Sequence, residues 1–144
     1  MTAPSALIDV RAPRFAAALT SVVLAVALLT GSGWLVAVQA LVFAAGALAG
    51  LRFSPYGLLF RTLVAPRLGP VREREPEAPP RFAQLVGLLF TVVGAAGYLA
   101  GVPVLGAVAT GVALVAALLN AATGFCLGCE LYLTARRVLP ARTA

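Results

Sequence analysis

Histidine and lysine are absent from this chain of 144 residues, acids number five, and the two cysteines stand three positions apart. The acids are Asp9, Glu73, Glu75, Glu77 and Glu130, and none falls inside an apolar run. These gaps exclude whole classes of chemistry. Without histidine there is no Ser-His-Asp triad, no imidazole general acid or base and no ordinary zinc hydrolase site. Without carboxylates at span depth there is no buried proton relay. Charge of either sign is scarce. At 11% charged and 61% hydrophobic, the chain falls far below the roughly one-quarter charged residues of a soluble domain. It cannot cover itself with polar side chains, so lipid is its expected solvent.

What is present is a set of four apolar runs. They are continuous rather than alternating, which selects helices over barrel strands as the way to satisfy backbone polar groups in hydrocarbon. The first span is expected from Arg14 to Thr30, with Pro13 at the first helical position. The second runs from Trp34 to Leu51, the third from Phe82 to Ala100 and the fourth from Val104 to Thr123. Each has about 17–20 residues, near the minimum for a hydrocarbon core of about 30 Å. Val38-Gln39-Ala40 faintly resembles a signal-peptide cleavage site, but the run before it is too long for a secretory h-region, so it reads as a retained span.

Arginine placement sets the topology. Arg11 and Arg14 precede the first span, Arg52, Arg61, Arg67, Arg72, Arg74 and Arg81 lie between the second and third, and Arg136, Arg137 and Arg142 follow the fourth. The connections Thr30-Gly31-Ser32-Gly33 and Gly101-Val102-Pro103 carry no charge. By the positive-inside rule the N-terminus, central loop and C-terminus face the cytoplasm, in a multi-pass protein of the plasma membrane. The net charge of +6 is then a flank that meets anionic head groups; a nucleic-acid partner is not expected.

The central loop divides in two. Residues 54–64 read as a short interfacial helix, capped by Ser54, opened by Pro55 and stopped by Pro66. Residues 66–80 mix proline, arginine and glutamate and read as a flexible connector, with no strand anywhere in the chain. Gly46-x-x-x-Gly50 and Gly97-x-x-x-Gly101 each place two small residues on one helical face for close helix contact. Gln39 and Asn120 are the most polar residues at span depth and read as interhelical hydrogen-bonding groups.

The halves resemble each other. Pro13-Arg14-Phe15-Ala16 opens the first pair of spans and Pro80-Arg81-Phe82-Ala83 the second. One constant offset aligns Phe53 with Phe125, Ser54 with Cys126, Leu59 with Leu131 and Phe60 with Tyr132. The expected architecture is therefore all-α: four transmembrane helices as two tandem hairpins, related by a pseudo-two-fold axis along the membrane normal. Repeat one covers 12–65, the connector 66–80 and repeat two 80–139, in a single transmembrane domain.

The chemistry-bearing motif is Cys126-Leu127-Gly128-Cys129. The spacing puts both sulfurs on one side of a helical turn, within reach of a reversible disulfide. Thr123 and Gly124 interrupt the fourth span just before it. Cys126 is either the N-cap of a new helix or, with Thr123 as cap, a first-turn residue. In both cases its sulfur faces free backbone N–H groups that favour thiolate, with Glu130 opposing. Packing is the bland alternative, but a C-x-x-C pair with no other cysteine, at a helix break, favours a redox or ligand role. Two thiolates alone leave a zinc site half built, and no cofactor is implied. In a reducing cytoplasm the pair should rest as a dithiol.

Arg-x-Pro-Arg-Phe-Ala-Ala-Ala at the start and Asn120-Ala-Ala-Thr-Gly-Phe-Cys-Leu-Gly-Cys-Glu-x-Tyr near the end resemble a family of small actinobacterial membrane proteins catalogued as domain of unknown function 4395. The resemblance covers nearly the whole chain and implies an integral membrane protein without an assigned reaction, found near thioredoxin-like or sulfur-transfer proteins. A looser similarity links it to two-span segments attached to some rhodaneses, which carry Gly-Phe-Cys-Pro where this chain has Gly124-Phe125-Cys126-Leu127. The leading expectation is a cytoplasm-facing thiol-redox or sulfur-relay component in which Cys126 attacks and Cys129 resolves. Asn120, Thr123 and Gly124 would support the pair, and Gly128 would let a thioredoxin-like or rhodanese-like partner's backbone approach. A non-catalytic assembly subunit and an oligomeric small-solute transporter or channel are the alternatives; either allows a homo-oligomer.

Overall fold

The computed structural model describes residues 7–139, so Arg142 lies outside the described residues. The chain is mostly helical. Helix α1 spans Arg11–Thr30. Helix α2 spans Gly33–Ala44 and widens into a π turn over Ala45–Ala49. After the polar segment come α5, Ala78–Leu99, and α6, Pro103–Thr123. Helices α1, α5 and α6 are long and apolar enough to cross a membrane. The second expected span is apolar but shorter, Gly33–Ala49, because Gly50 turns to φ +108° and ends it before Leu51.

Both uncharged turns are made by glycine. Gly31 closes α1 in the left-handed region at φ +66°, and Ser32 then caps α2 by accepting from the Leu35 N–H at 3.2 Å. Gly101, at φ +84°, turns the chain between α5 and α6, and Pro103 opens the new helix. Pro13, expected at the first position of α1, lies inside its first turn, since the helix begins at Arg11.

The four long segments pack as a ring. α1 lies chiefly on α6 and α2 chiefly on α5, while α1 and α2 touch each other less. Close approach comes from α5. A Cβ on Gly97 would lie 2.6 Å from the Gly106 nitrogen, one on Gly94 would lie 2.6 Å from Thr110 Oγ1, and one on Gly87 would strike the Phe43 ring. The expected Gly-x-x-x-Gly faces are therefore half right. Gly46 and Gly97 face neighbouring helices, whereas Gly50 and Gly101 have left-handed φ and make turns instead. The remaining apolar surface points outward, with Leu29 87% exposed and Leu48 72%.

Gln39, fully buried, donates from Nε2 to Thr20 Oγ1 at 3.3 Å and accepts from the Tyr56 hydroxyl at 2.7 Å. It ties α1 and α2 to α3, Pro55–Leu59. The expected stop at Pro66 does not occur. The helical path continues through a π turn, Phe60–Val64, into α4, Ala65–Leu68, with Pro66 in its first turn. Gly69, at φ +83°, ends it. Ser54 holds the cap position of α3 without a side-chain cap bond.

The connector is structured, contrary to expectation. β1, Leu7–Asp9, pairs antiparallel with β2, Arg74–Pro76, in the register Ile8↔Glu75. Three-residue strands are too short to read from alternation; a side-chain clamp holds this pair. Arg11 donates to both Asp9 carboxylate oxygens, at 3.0 and 2.8 Å, and to the carbonyls of Leu68 and Gly69. The guanidinium bond holds the Asp9 carboxyl below its ordinary 3.8. A depressed carboxylate stabilises the fold above its unfolded pKa and loses that contribution as pH falls through the folded value.

Two expectations follow. Gly97→Leu should cost about 1–3 kcal/mol by overpacking, seen as a lower Tm in detergent, whereas Gly111→Leu, with nothing within 4 Å, should be tolerated. Asp9→Asn should speed trypsin cleavage after Arg72 and Arg74 at neutral pH, and the wild type should show matching loosening only in acid. Equal cleavage of both proteins at neutral pH would refute the clamp.

Candidate thiol site at the end of α6

The site is built where α6 stops. Gly124, at φ +79°, takes the left-handed position, and its N–H donates to the Asn120 carbonyl at 2.9 Å. The Thr123 hydroxyl donates to the Leu119 carbonyl at 2.6 Å and accepts from the Phe125 N–H at 3.2 Å. The chain is then extended at Cys126, and α7 begins, Leu127–Val138. Cys126 is the N-cap: its Sγ accepts from the Cys129 N–H at 3.1 Å. Thr123 therefore sets the exit from α6 and does not cap α7. Glu130 sits in the first turn of α7 and Arg136 and Arg137 in the last, each matching the helix dipole.

Cys126 and Cys129 are joined as a disulfide, with Cα atoms 5.1 Å apart. The expected resting dithiol is thus replaced by the oxidised pair; the i, i+3 spacing at a helix start brings the Cα atoms within bonding range. Among the described residues no group of three or more His, Cys, Asp or Glu gathers to hold a metal ion.

Gly128 has another role than the one expected. A Cβ on it would lie 2.5 and 2.6 Å from Ala83 Cβ and Cα, so its open face is occupied by α5 of the same chain. Beside it the rings of Phe82 and Tyr132 stack at 5.6 Å and 47°. Arg136 reaches the Tyr132 hydroxyl at 3.2 Å. The Gly128–Ala83 and Phe82–Tyr132 contacts seat the amphipathic α7 against α5.

The arginines of the repeated Pro-Arg-Phe-Ala were legible as topology markers, but their local work was not. Arg14 Nη2 donates to the carbonyls of Ala121 and Ala122, at 3.1 and 3.4 Å, at the end of α6. Arg81 Nε and Nη2 donate to the carbonyls of Ala47 and Leu48, at 2.8 and 2.9 Å, at the end of the α2 segment. Each guanidinium satisfies helix-end acceptors of the other half of the chain. Arg14 thereby braces the turn that presents Cys126. The doubled motif was the available signal.

Two cavities open at this end of the bundle. One, about 450 Å³, lies beneath the β pair between Asp9, Ser54, Arg61 and Glu77. The other, about 390 Å³, lies among α1, α5, α6 and α7 and reaches Cys126, Asn120 and Glu130. The structure brings Asn120 and Cys126 to one cavity wall. The expected interhelical bond of Asn120 is missing: its side chain makes no hydrogen bond to a described residue.

Long apolar helices with outward-facing leucines, and a bonded C-x-x-C pair at one helix start, define a small α-helical protein of the membrane type. A family model described as domain of unknown function (DUF4395) matches residues 8–137, and the chain belongs to that family. No curated protein and no solved structure matches the chain.

Gly128→Val should push α7 off α5, at about 1–3 kcal/mol for an overpacked contact. Faster trypsin cleavage after Arg136 and Arg137 would report it. Cleavage at the wild-type rate would mean that Ala83 does not seat this helix.

Proposed function

We propose that the chain is a multi-pass protein of the plasma membrane whose cytoplasmic end carries a thiol-redox or sulfur-relay pair. Four spans form two tandem hairpins, with repeat one over 12–65, the connector over 66–80 and repeat two over 80–139. Several observations support this layout. Phe15 lies on Phe60 at 5.7 Å and 49°, and Phe82 on Tyr132 at 5.6 Å and 47°. Those are the residues that the repeated motif and the constant offset place in correspondence. Arg14 and Arg81 reach across reciprocally to the opposite half. The arginine-rich segments share one end, while both uncharged turns lie at the other, as the positive-inside rule asks of a protein with cytoplasmic termini.

The observation that carries the function is the bonded Cys126–Cys129 pair at a helix start, half-buried, on a helix anchored to α5. In the reduced state the Cys126 thiolate faces the N-terminal N–H groups of α7, which favour the anion. It attacks a partner disulfide, forming a mixed disulfide and releasing one partner thiolate. The Cys129 thiolate then attacks the Cys126 sulfur, giving the intramolecular disulfide and the second partner thiolate. Exchange runs in either direction. In the sulfur-relay form, Cys126 takes the terminal sulfur of a partner persulfide and leaves the partner's thiol. A thioredoxin-like or rhodanese-like cytoplasmic protein fits either form, with the arginines of the connector and tail as the docking surface.

In Cys129→Ser, mild oxidation with a thioredoxin-like protein should trap a mixed disulfide through Cys126. The yield should fall to background in the double serine variant. If nonreducing gels show no trapped species for Cys129→Ser, the relay reading is lost.

A further inference from the structure

We propose that the cavity beside Cys126 binds a lipid-soluble quinone, and that this quinone oxidises the Cys126–Cys129 dithiol. The proposal rests on the thiol-redox reading above and supplies its electron acceptor. The cavity, about 390 Å³, falls within the usual range for small-molecule sites, about 300–1,000 Å³. Its shape follows the helices. Cys126 and Asn120 mark one end, at the finish of α6, while Val112 and Phe90 mark the other, near the middles of α6 and α5. From Val112 to Asn120 is about 12 Å along a helix, the reach of a quinone ring and the start of its tail.

The walls are mixed. Phe90, Val112, Ala113 and Ala117 supply apolar surface, and Thr20, Gln84, Asn120 and Glu130 supply polar groups. Asn120 and Gln84 both line the cavity, and neither side-chain amide hydrogen bonds to a described residue. Their N–H groups are free for ring carbonyl oxygens. Val112 is 46% exposed and Phe90 37%, so the cavity opens sideways on the apolar flank of the bundle. That is the side from which a ligand dissolved in lipid would enter, with its tail along Phe90 and its head beside Cys126.

The step balances. A partner dithiol first reduces the Cys126–Cys129 disulfide by exchange. The two thiols then give up two electrons and two protons, the S–S bond forms again, and the quinone gains two O–H bonds as hydroquinone. Cys126 lies on the cavity wall and Cys129 does not, so Cys126 faces the ring.

The test uses the full-length protein in nanodiscs, reduced and kept anaerobic. Decylubiquinone is the probe, because its fully substituted ring has no open carbon for thiol addition. Both thiols should be lost, counted by maleimide mass, with one hydroquinone formed per disulfide. Ala117→Phe, which fills the cavity, should slow this by about tenfold or more, the scale of one pocket-filling group. Asn120→Leu, similar in volume, should slow it as well should the larger variant fail to fold. The Cys126→Ser/Cys129→Ser double variant cannot be oxidised, yet decylubiquinone should still raise its Tm as it does that of the wild type. Thiols that survive the quinone, an unchanged rate in the folded cavity variants, or no rise in Tm would each overturn the proposal. A wild-type pair that exchanges with thioredoxin but resists decylubiquinone would sink the quinone and leave the relay. A pair inert to both would sink both.

Discussion

The carbonyls at the ends of α2 and α6 govern how the rest of this chain is assembled. A helix end leaves its last acceptors without intrahelical donors, and in apolar surroundings those acceptors must find partners. Here the partners are guanidinium groups from across the molecule, Arg81 for Ala47 and Leu48, and Arg14 for Ala121 and Ala122. Such charge-assisted bonds fix which helix ends meet. Once they form, α1 must lie beside α6 and α2 beside α5, which is the packing observed. The site inherits its place from this arrangement, because the stretch that leads into Cys126 begins at the acceptors that Arg14 holds.

Close packing then does what sequence polarity cannot. α5 contacts α2, α6 and α7, and its small residues make each approach possible. Gly87 receives the Phe43 ring, Gly97 meets Gly106, and Ala83 fills the open face of Gly128. Among apolar helices in an apolar solvent, such contacts rather than hydrophobic burial decide which neighbours are chosen. Gln39 adds a directional bond at the centre, shared between Thr20 and Tyr56. The thiol pair is thus carried on a helix whose position follows from glycine and alanine spacing two elements away.

Much of this was legible because apolar runs and glycine turns are local signals. α1 and α6 end where the sequence placed them, at Thr30 and Thr123, α5 ends at Leu99, one residue before the expected Ala100, and Cys126 takes the N-cap, one of the two positions its neighbours allowed. What escaped depends on distant partners. Gly128 reads as open space until Ala83 is known to face it. Arg14 and Arg81 read as topology markers until the carbonyls they meet are in place. The β pair escaped because two three-residue strands carry no period, and Pro66 misled because a π turn ahead of it renewed the helical path. The second span came out shorter than its apolar run because a glycine with left-handed φ outranked hydropathy at Gly50.

The reciprocal capping also has a consequence for how the protein is made. Arg81 leaves the ribosome long after Ala47 and Leu48, so α1 and α2 are synthesised with two acceptors that nothing yet answers. β1 likewise waits for Arg74–Pro76 before it has a strand to pair with. The early half is therefore an unfinished object, open to chaperone or insertase contact at one identifiable end until the third long helix arrives. Two halves encoded separately would have to be produced together, each completing the other's helix ends, and neither alone would be a minimal folding unit.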